Sequence, residues 1–118
     1  MKDFINKIAE YQKLMGYDFE TMTIEDRMQM MRNYVAALMV EQGELLKELP
    51  WKPWRKQETQ YYATQQIQAE EWVDCLFFLV DQALVLRLSS ELIEQAFEAK
   101  LRKNINRISS GYSTKGGK

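Results

Sequence analysis

Apolar residues along this 118-residue chain recur every three or four positions, the repeat of a helix with one dry face. From Lys2 to Met15 the repeat is carried by Phe4, Ile5, Ile8, Tyr11 and Met15, and Gly16 is placed to stop the helix. Residues 16–22 read as a connection. Thr23, with Asp26 three residues on, reads as an N-cap followed by acid in the first turn. The helix it opens should reach Leu49 and end at Pro50, with Met28, Met31, Val35, Leu38, Met39, Leu45 and Leu46 as its apolar positions. Its methionines read as flexible core filler.

Pro50-Trp51-Lys52-Pro53-Trp54-Arg55-Lys56 forbids regular helix. Two readings stand: a rigid corner whose tryptophans cap the core, or a loop where an aromatic plane meets a base and cations meet phosphate. A third helix is expected from Glu58 to Leu86. Between Trp72 and Leu84 it is apolar nearly all round, which calls for cover on every side and hence for a homo-oligomer, a dimer or tetramer. Ser89-Ser90-Glu91 caps a fourth helix that runs to Ser109, with Gly111 just past its end. The expected fold is all-α: a four-helix unit over residues 1–112 that assembles as an oligomeric helical bundle, with residues 113–118 as a mobile tail.

Composition narrows the chemistry. Hydrophobic residues make up 46%, enough for one modest core. Sixteen basic residues against 17 acidic give a net charge of −1, so bulk charge offers no case for nucleic-acid or membrane binding. Histidine is absent, which removes imidazole ligands and Ser-His-Asp or Cys-His catalysis. The single cysteine excludes an internal disulfide and suits a reducing compartment; Cys75 itself reads as core filler. The opening Met-Lys-Asp-Phe has no apolar run of the signal-peptide kind. The longest apolar stretch, Trp72 to Leu88, carries Asp74, Asp81, Gln82 and Arg87, a set a lipid-spanning helix would not tolerate. A cytoplasmic protein is expected.

Against that background four carboxylates stand out. Glu41 and Glu44 are three apart on the second helix, and Glu71 and Asp74 three apart on the third. Such spacing leaves two side chains on one face, one turn apart, so antiparallel packing would bring four acids together. Both pairs sit among apolar residues, where charge is costly without a neutralising partner. An oxygen-only donor set selects a hard ion, Mg²⁺ or Mn²⁺, and the lack of His argues against a di-iron bundle. Asp81 follows Asp74 by seven residues on the same stripe and is a candidate outer partner of the cluster. Between Ala99 and Lys118 lie Lys100, Arg102, Lys103, Arg107, Lys115 and Lys118 and no acid. Lys100, Asn104 and Arg107 share one stripe of the fourth helix. They read as phosphate-binding groups or as cations complementing the helix end.

Glu41-Gln-Gly-Glu44-Leu-Leu, the Trp51-Lys-Pro-Trp54-Arg-Lys loop, Glu71-x-x-Asp74 and Lys100-x-x-x-Asn104-x-x-Arg107-x-x-x-Gly111-Tyr112 together resemble the all-α nucleoside triphosphate pyrophosphatases. That superfamily includes the MazG proteins and the dimeric dUTPases, and the dimeric dUTPase branch is the nearer in motif. The resemblance implies hydrolysis of a deoxynucleoside triphosphate to monophosphate and pyrophosphate, with dUTP the favoured substrate and dCTP, a purine dNTP or a modified nucleotide as alternatives. It implies that Glu41, Glu44, Glu71 and Asp74 hold Mg²⁺ and that Glu41 or Glu44 positions or deprotonates the attacking water. Lys56, Lys100, Arg107 and Tyr112 would bind phosphate, Asn104 the sugar or phosphate, and Gln12, Trp51 and Trp54 the nucleoside. Two departures are visible: Met15 stands where the branch has an Asn, and the extra helical insert of the branch is missing. A reading of another class is a non-catalytic helical interaction module.

Overall fold

In the computed structural model, residues 2–49 and 64–111 are described, and all regular structure among them is helical: α1 (Lys2–Leu14), α2 (Ile24–Lys47), α3 (Gln65–Val85) and α4 (Ser90–Ser109). Trp51, Trp54, Lys56, Tyr112 and the tail lie outside the described residues.

Helix ends follow local chemistry. Thr23, Thr64 and Ser89 have extended backbone, and each hydroxyl accepts the N–H of the residue three ahead: Asp26, Ile67 and Leu92. Each such cap is worth about 1 kcal/mol. The expected third helix ran through Thr64; the cap there makes Gln65 its first residue. Gly16 closes α1 at φ +92°, with its N–H on Lys13 O and the Tyr17 N–H on Gln12 O, the paired bonds of a Schellman turn.

The chain divides into two compact units, Met1–Arg87 and Leu88–Lys118. In the first, the start of α2 lies beside the end of α3, where Arg27 Nη1 donates to Val85 O at 2.8 Å. Glu41, late in α2, meets Glu71, early in α3. The two helices are therefore antiparallel. Phe19, Tyr34 and Val85 form the core, with Met22, Met30, Met31, Phe78 and Leu84 packed against them. Methionine does fill core gaps, and the inner stripe of α2 is in part the one expected. It runs through the expected Met31, Leu38 and Leu45 and also through Met30, Tyr34 and Glu41, whereas Val35, Met39 and Leu46 are exposed. On α1 the buried stripe is Ile5, Ile8 and Gln12, and Phe4, Tyr11 and Met15 are about half exposed. Apolar spacing alone does not set a helix's rotation when both faces carry apolar residues.

Arg87 ties the connections together. Its φ is +59°, a left-handed conformation that costs a non-glycine residue about 1 kcal/mol. In that position its guanidinium reaches the α1–α2 connection, donating from Nε and Nη2 to Phe19 O at 3.1 and 3.0 Å and from Nη2 to Glu20 O at 3.0 Å. In the second unit, α4 ends at Gly111 (φ +86°), whose N–H bonds Ile108 O. Among the described residues, no helix is long and apolar enough to cross a membrane.

Candidate active site

The antiparallel pairing of α2 and α3 places Glu41 on the α3-facing stripe of α2 and Glu71 on the α2-facing stripe of α3. Asp74, one turn on, completes a group of three carboxylates whose oxygens lie within 4.8 Å of one another. Glu41 and Glu71 are partly buried and Asp74 is exposed. The cost of crowding shows on Glu71. Lost hydration raises its pKa first, and the negative charges of Asp74, Glu41, Glu44 and Glu48 raise it further. No cation among the described residues is found bridging these three acids. Such a group is relieved by a proton or by a divalent cation, and three oxygen donors with open sides fit Mg²⁺ or Mn²⁺.

Glu44 lies outside this group. It is exposed, and its carboxylate faces Lys47 Nζ at 3.8 Å on the surface. Its charge still reaches Glu71. Cys75, between the acids and the core, is buried, and burial together with the charges of Glu41, Asp74 and Glu71 pushes its thiol pKa up. That keeps it a protonated packing residue rather than a nucleophile.

Asp74 also lines a cavity of about 650 Å³ whose walls are mostly apolar: Ile8 and Tyr11 of α1, Met15 just past its end, Phe77 and Phe78 of α3. A volume of that size suits a small organic ligand. Tyr11 and Phe77 meet edge to face across it, with ring centroids 5.9 Å apart. Its polar groups are Gln12, Tyr34 and Asp81, with Lys7 on the wall. Gln12 is 2% exposed and Asp81 4%. Gln12 Nε2 donates to Asp81 Oδ1 at 2.6 Å, and the Tyr34 hydroxyl donates to Gln12 Oε1 at 3.4 Å. Desolvation raises the Asp81 pKa, partly offset by the Gln12 hydrogen bond. Burial, helped by the Asp81 charge, pushes the Tyr34 hydroxyl up to about 12.

Asp81 is not one of the three grouped acids; its carboxylate bonds Gln12, and it shares the cavity wall with Asp74. Tyr34 went unrecognised in the sequence as a site residue. The available signal was a polar position, Gln12, set in phase with Ile5 and Ile8. Lys100, Asn104 and Arg107 run along one side of α4 in the second unit, where Lys100 and Asn104 are exposed and Arg107 is partly buried.

Residues 4–109 match the family model described as dUTPase. No curated protein and no solved structure matches the chain.

Proposed function

From the chain's membership of this dUTPase family, which brings a nucleotide-pyrophosphatase type of activity, we propose that it is a divalent-metal-dependent deoxynucleoside triphosphate pyrophosphohydrolase with dUTP as its favoured substrate. The observation that carries this reading is the position of Asp74, which belongs both to the carboxylate group and to the wall of the apolar cavity. A base held in that cavity has its triphosphate directed toward the acids.

Each residue then has a task. Glu41, Glu71 and Asp74 hold the cation by their carboxylate oxygens, with Glu44 joining from the next turn of α2. When bound, the ion supplies positive charge against the phosphate oxygens. Glu44, exposed and beside Glu41, or Glu41 itself, orients the attacking water or takes its proton. Lys100 and Arg107, with Lys56 and Tyr112, bind phosphate oxygens, and Asn104 holds sugar or phosphate. Gln12 reads the base edge, while the ring faces of the cavity and Trp51 or Trp54 enclose it. Products are the deoxynucleoside monophosphate and pyrophosphate.

A homodimer or homotetramer is part of the proposal. Trp72 is 57% and Leu79 52% exposed on one chain, and these positions, seven apart, share a stripe of α3. Apolar residues spaced this way on one face belong against a partner surface. A cytoplasmic location fits a lone, buried, protonated thiol. The test is release of pyrophosphate from each dNTP in the presence of Mg²⁺. Turnover of dUTP above the others supports the full proposal, and turnover led by dCTP or a purine dNTP moves the substrate. No turnover of any nucleotide at micromolar enzyme favours a helical interaction module built on the exposed α3 stripe.

A further inference from the structure

The buried bond between Gln12 and Asp81 joins α1 to α3 in the wall of a mostly apolar cavity, and its chemistry is directional. A primary amide has two ends of similar shape and opposite hydrogen-bonding character. Turned one way, Gln12 would offer a donor where, turned the other way, it offers an acceptor. An ionised carboxylate only accepts, so the group facing Asp81 Oδ1 at 2.6 Å has to be the amide nitrogen. The Tyr34 hydroxyl, held protonated, donates to the opposite end, Oε1. The carboxylate therefore enforces one orientation, and the Tyr34 hydroxyl, able to donate or to accept, follows it. After these bonds Gln12 keeps one N–H and one oxygen lone pair, a fixed donor–acceptor pair for a ligand in the cavity.

Pyrimidine edges differ in this order. Uracil presents an acceptor at O4 and a donor at N3; cytosine presents a donor at N4 and an acceptor at N3. One orientation of an amide pairs with the first and the reversed orientation pairs with the second. A freely turning amide accepts either base, whereas a locked amide leaves the wrong base facing donor to donor and acceptor to acceptor, inside a site where unpaired polar groups are costly. We infer that Asp81 is a positioning residue for base selection: by holding the amide of Gln12 in one orientation it makes the cavity discriminate between uracil and cytosine. The inference rests on the proposed nucleotide site and adds to it the residue that sets the site's selectivity.

The experiment separates the two. Pyrophosphate release by the unmodified protein tests the activity. Binding of the monophosphates dUMP and dCMP, titrated by NMR against the unmodified protein and Asp81→Asn, tests the lock without turnover. An Asn at this position offers either a donor or an acceptor, so the Gln12 amide is freed to turn while the volume is kept. The unmodified protein should bind one monophosphate about tenfold or more tightly than the other. In Asp81→Asn that ratio should fall to within about threefold, through a gain for the disfavoured base. Asp81→Leu, which removes the acceptor altogether, makes the same comparison if Asp81→Asn does not fold. A ratio unchanged in a folded variant reduces Asp81 to a packing role and overturns the inference, as does equal binding of the two monophosphates, or binding of neither, by the unmodified protein. Discriminating binding that is lost in Asp81→Asn sustains the lock even if no dNTP is hydrolysed, in which case only the proposed activity fails.

Discussion

Arg87 donates two hydrogen bonds to one carbonyl oxygen, that of Phe19, from Nε at 3.1 Å and Nη2 at 3.0 Å. Phe19 is a core residue, so this contact fixes the connection between α1 and α2 against the end of α3. It also accounts for an arginine in a left-handed backbone conformation. Arg87→Ala keeps the backbone cost and loses the bonds, and should destabilise the fold by about 1–2 kcal/mol. Arg87→Gly loses the same bonds but relieves the backbone, and should recover about 1 kcal/mol of that loss. Urea denaturation of both variants checks the order; a glycine variant less stable than the alanine variant would contradict it.

Glu71 is the acid on which the crowding falls most clearly, since hydration loss and four neighbouring negative charges all raise its pKa. Glu71→Gln removes one of those charges and little volume. Without metal the variant should melt higher than the unmodified protein. With Mg²⁺ the unmodified protein should gain stability and the variant should gain less, and the variant should lose pyrophosphate release while keeping its helical circular dichroism. A variant that gains as much from Mg²⁺ as the parent would remove Glu71 from the metal site.

Burial raises the pKa of Asp81, so the folded chain holds that proton more tightly than the unfolded chain does. Stability from this group therefore rises as pH falls from neutrality through its folded pKa toward the ordinary value of 3.8, and the burial penalty is complete above the folded pKa. Charged or titratable groups sharing the cavity are Lys7 and Tyr11 from α1, Tyr34 from α2 and Asp74 from α3. These remain in Asp81→Asn, which lacks only the titrating carboxyl. Thermal melts at pH 7 and pH 5 should show the unmodified protein gaining on the variant at the lower pH. A constant difference between them would mean that Asp81 titrates as an ordinary carboxyl.

Lys100→Ala should raise KM for the triphosphate by about tenfold, the loss of one charge-assisted hydrogen bond to phosphate. Unchanged KM and kcat would leave Lys100 as a solvated cation on the exposed side of α4.

Light scattering at micromolar concentration should give a mass of two or four chains. Leu79→Glu, which sets a charge on the exposed stripe shared with Trp72, should shift the mass toward one chain. A single-chain mass for the unmodified protein would remove the oligomer from the proposal.

Local chemistry was readable in the chain. Thr23 and Ser89 cap α2 and α4 as expected, and Gly16 and Gly111 close α1 and α4 with positive φ, because caps and stops are made within a few residues. The carboxylate group was readable in part: spacing put Glu41 with Glu44 and Glu71 with Asp74, one pair to a helix. Rotation of α2 against α3 then brought Glu41, Glu71 and Asp74 together and left Glu44 on the surface beside Lys47. The sequence could not decide this, since α2 carries apolar residues on both faces and only contact with α3 adds Tyr34 to the inner stripe of Met31, Leu38 and Leu45 and leaves Val35 and Met39 exposed. The bond between Gln12 and Asp81 lies further still from what order along the chain determines. It spans 69 positions, and it depends on two helices packing so that one buried amide meets one buried acid. Periodicity gives each helix its candidate faces; which face turns inward is set by the packing of one helix on another.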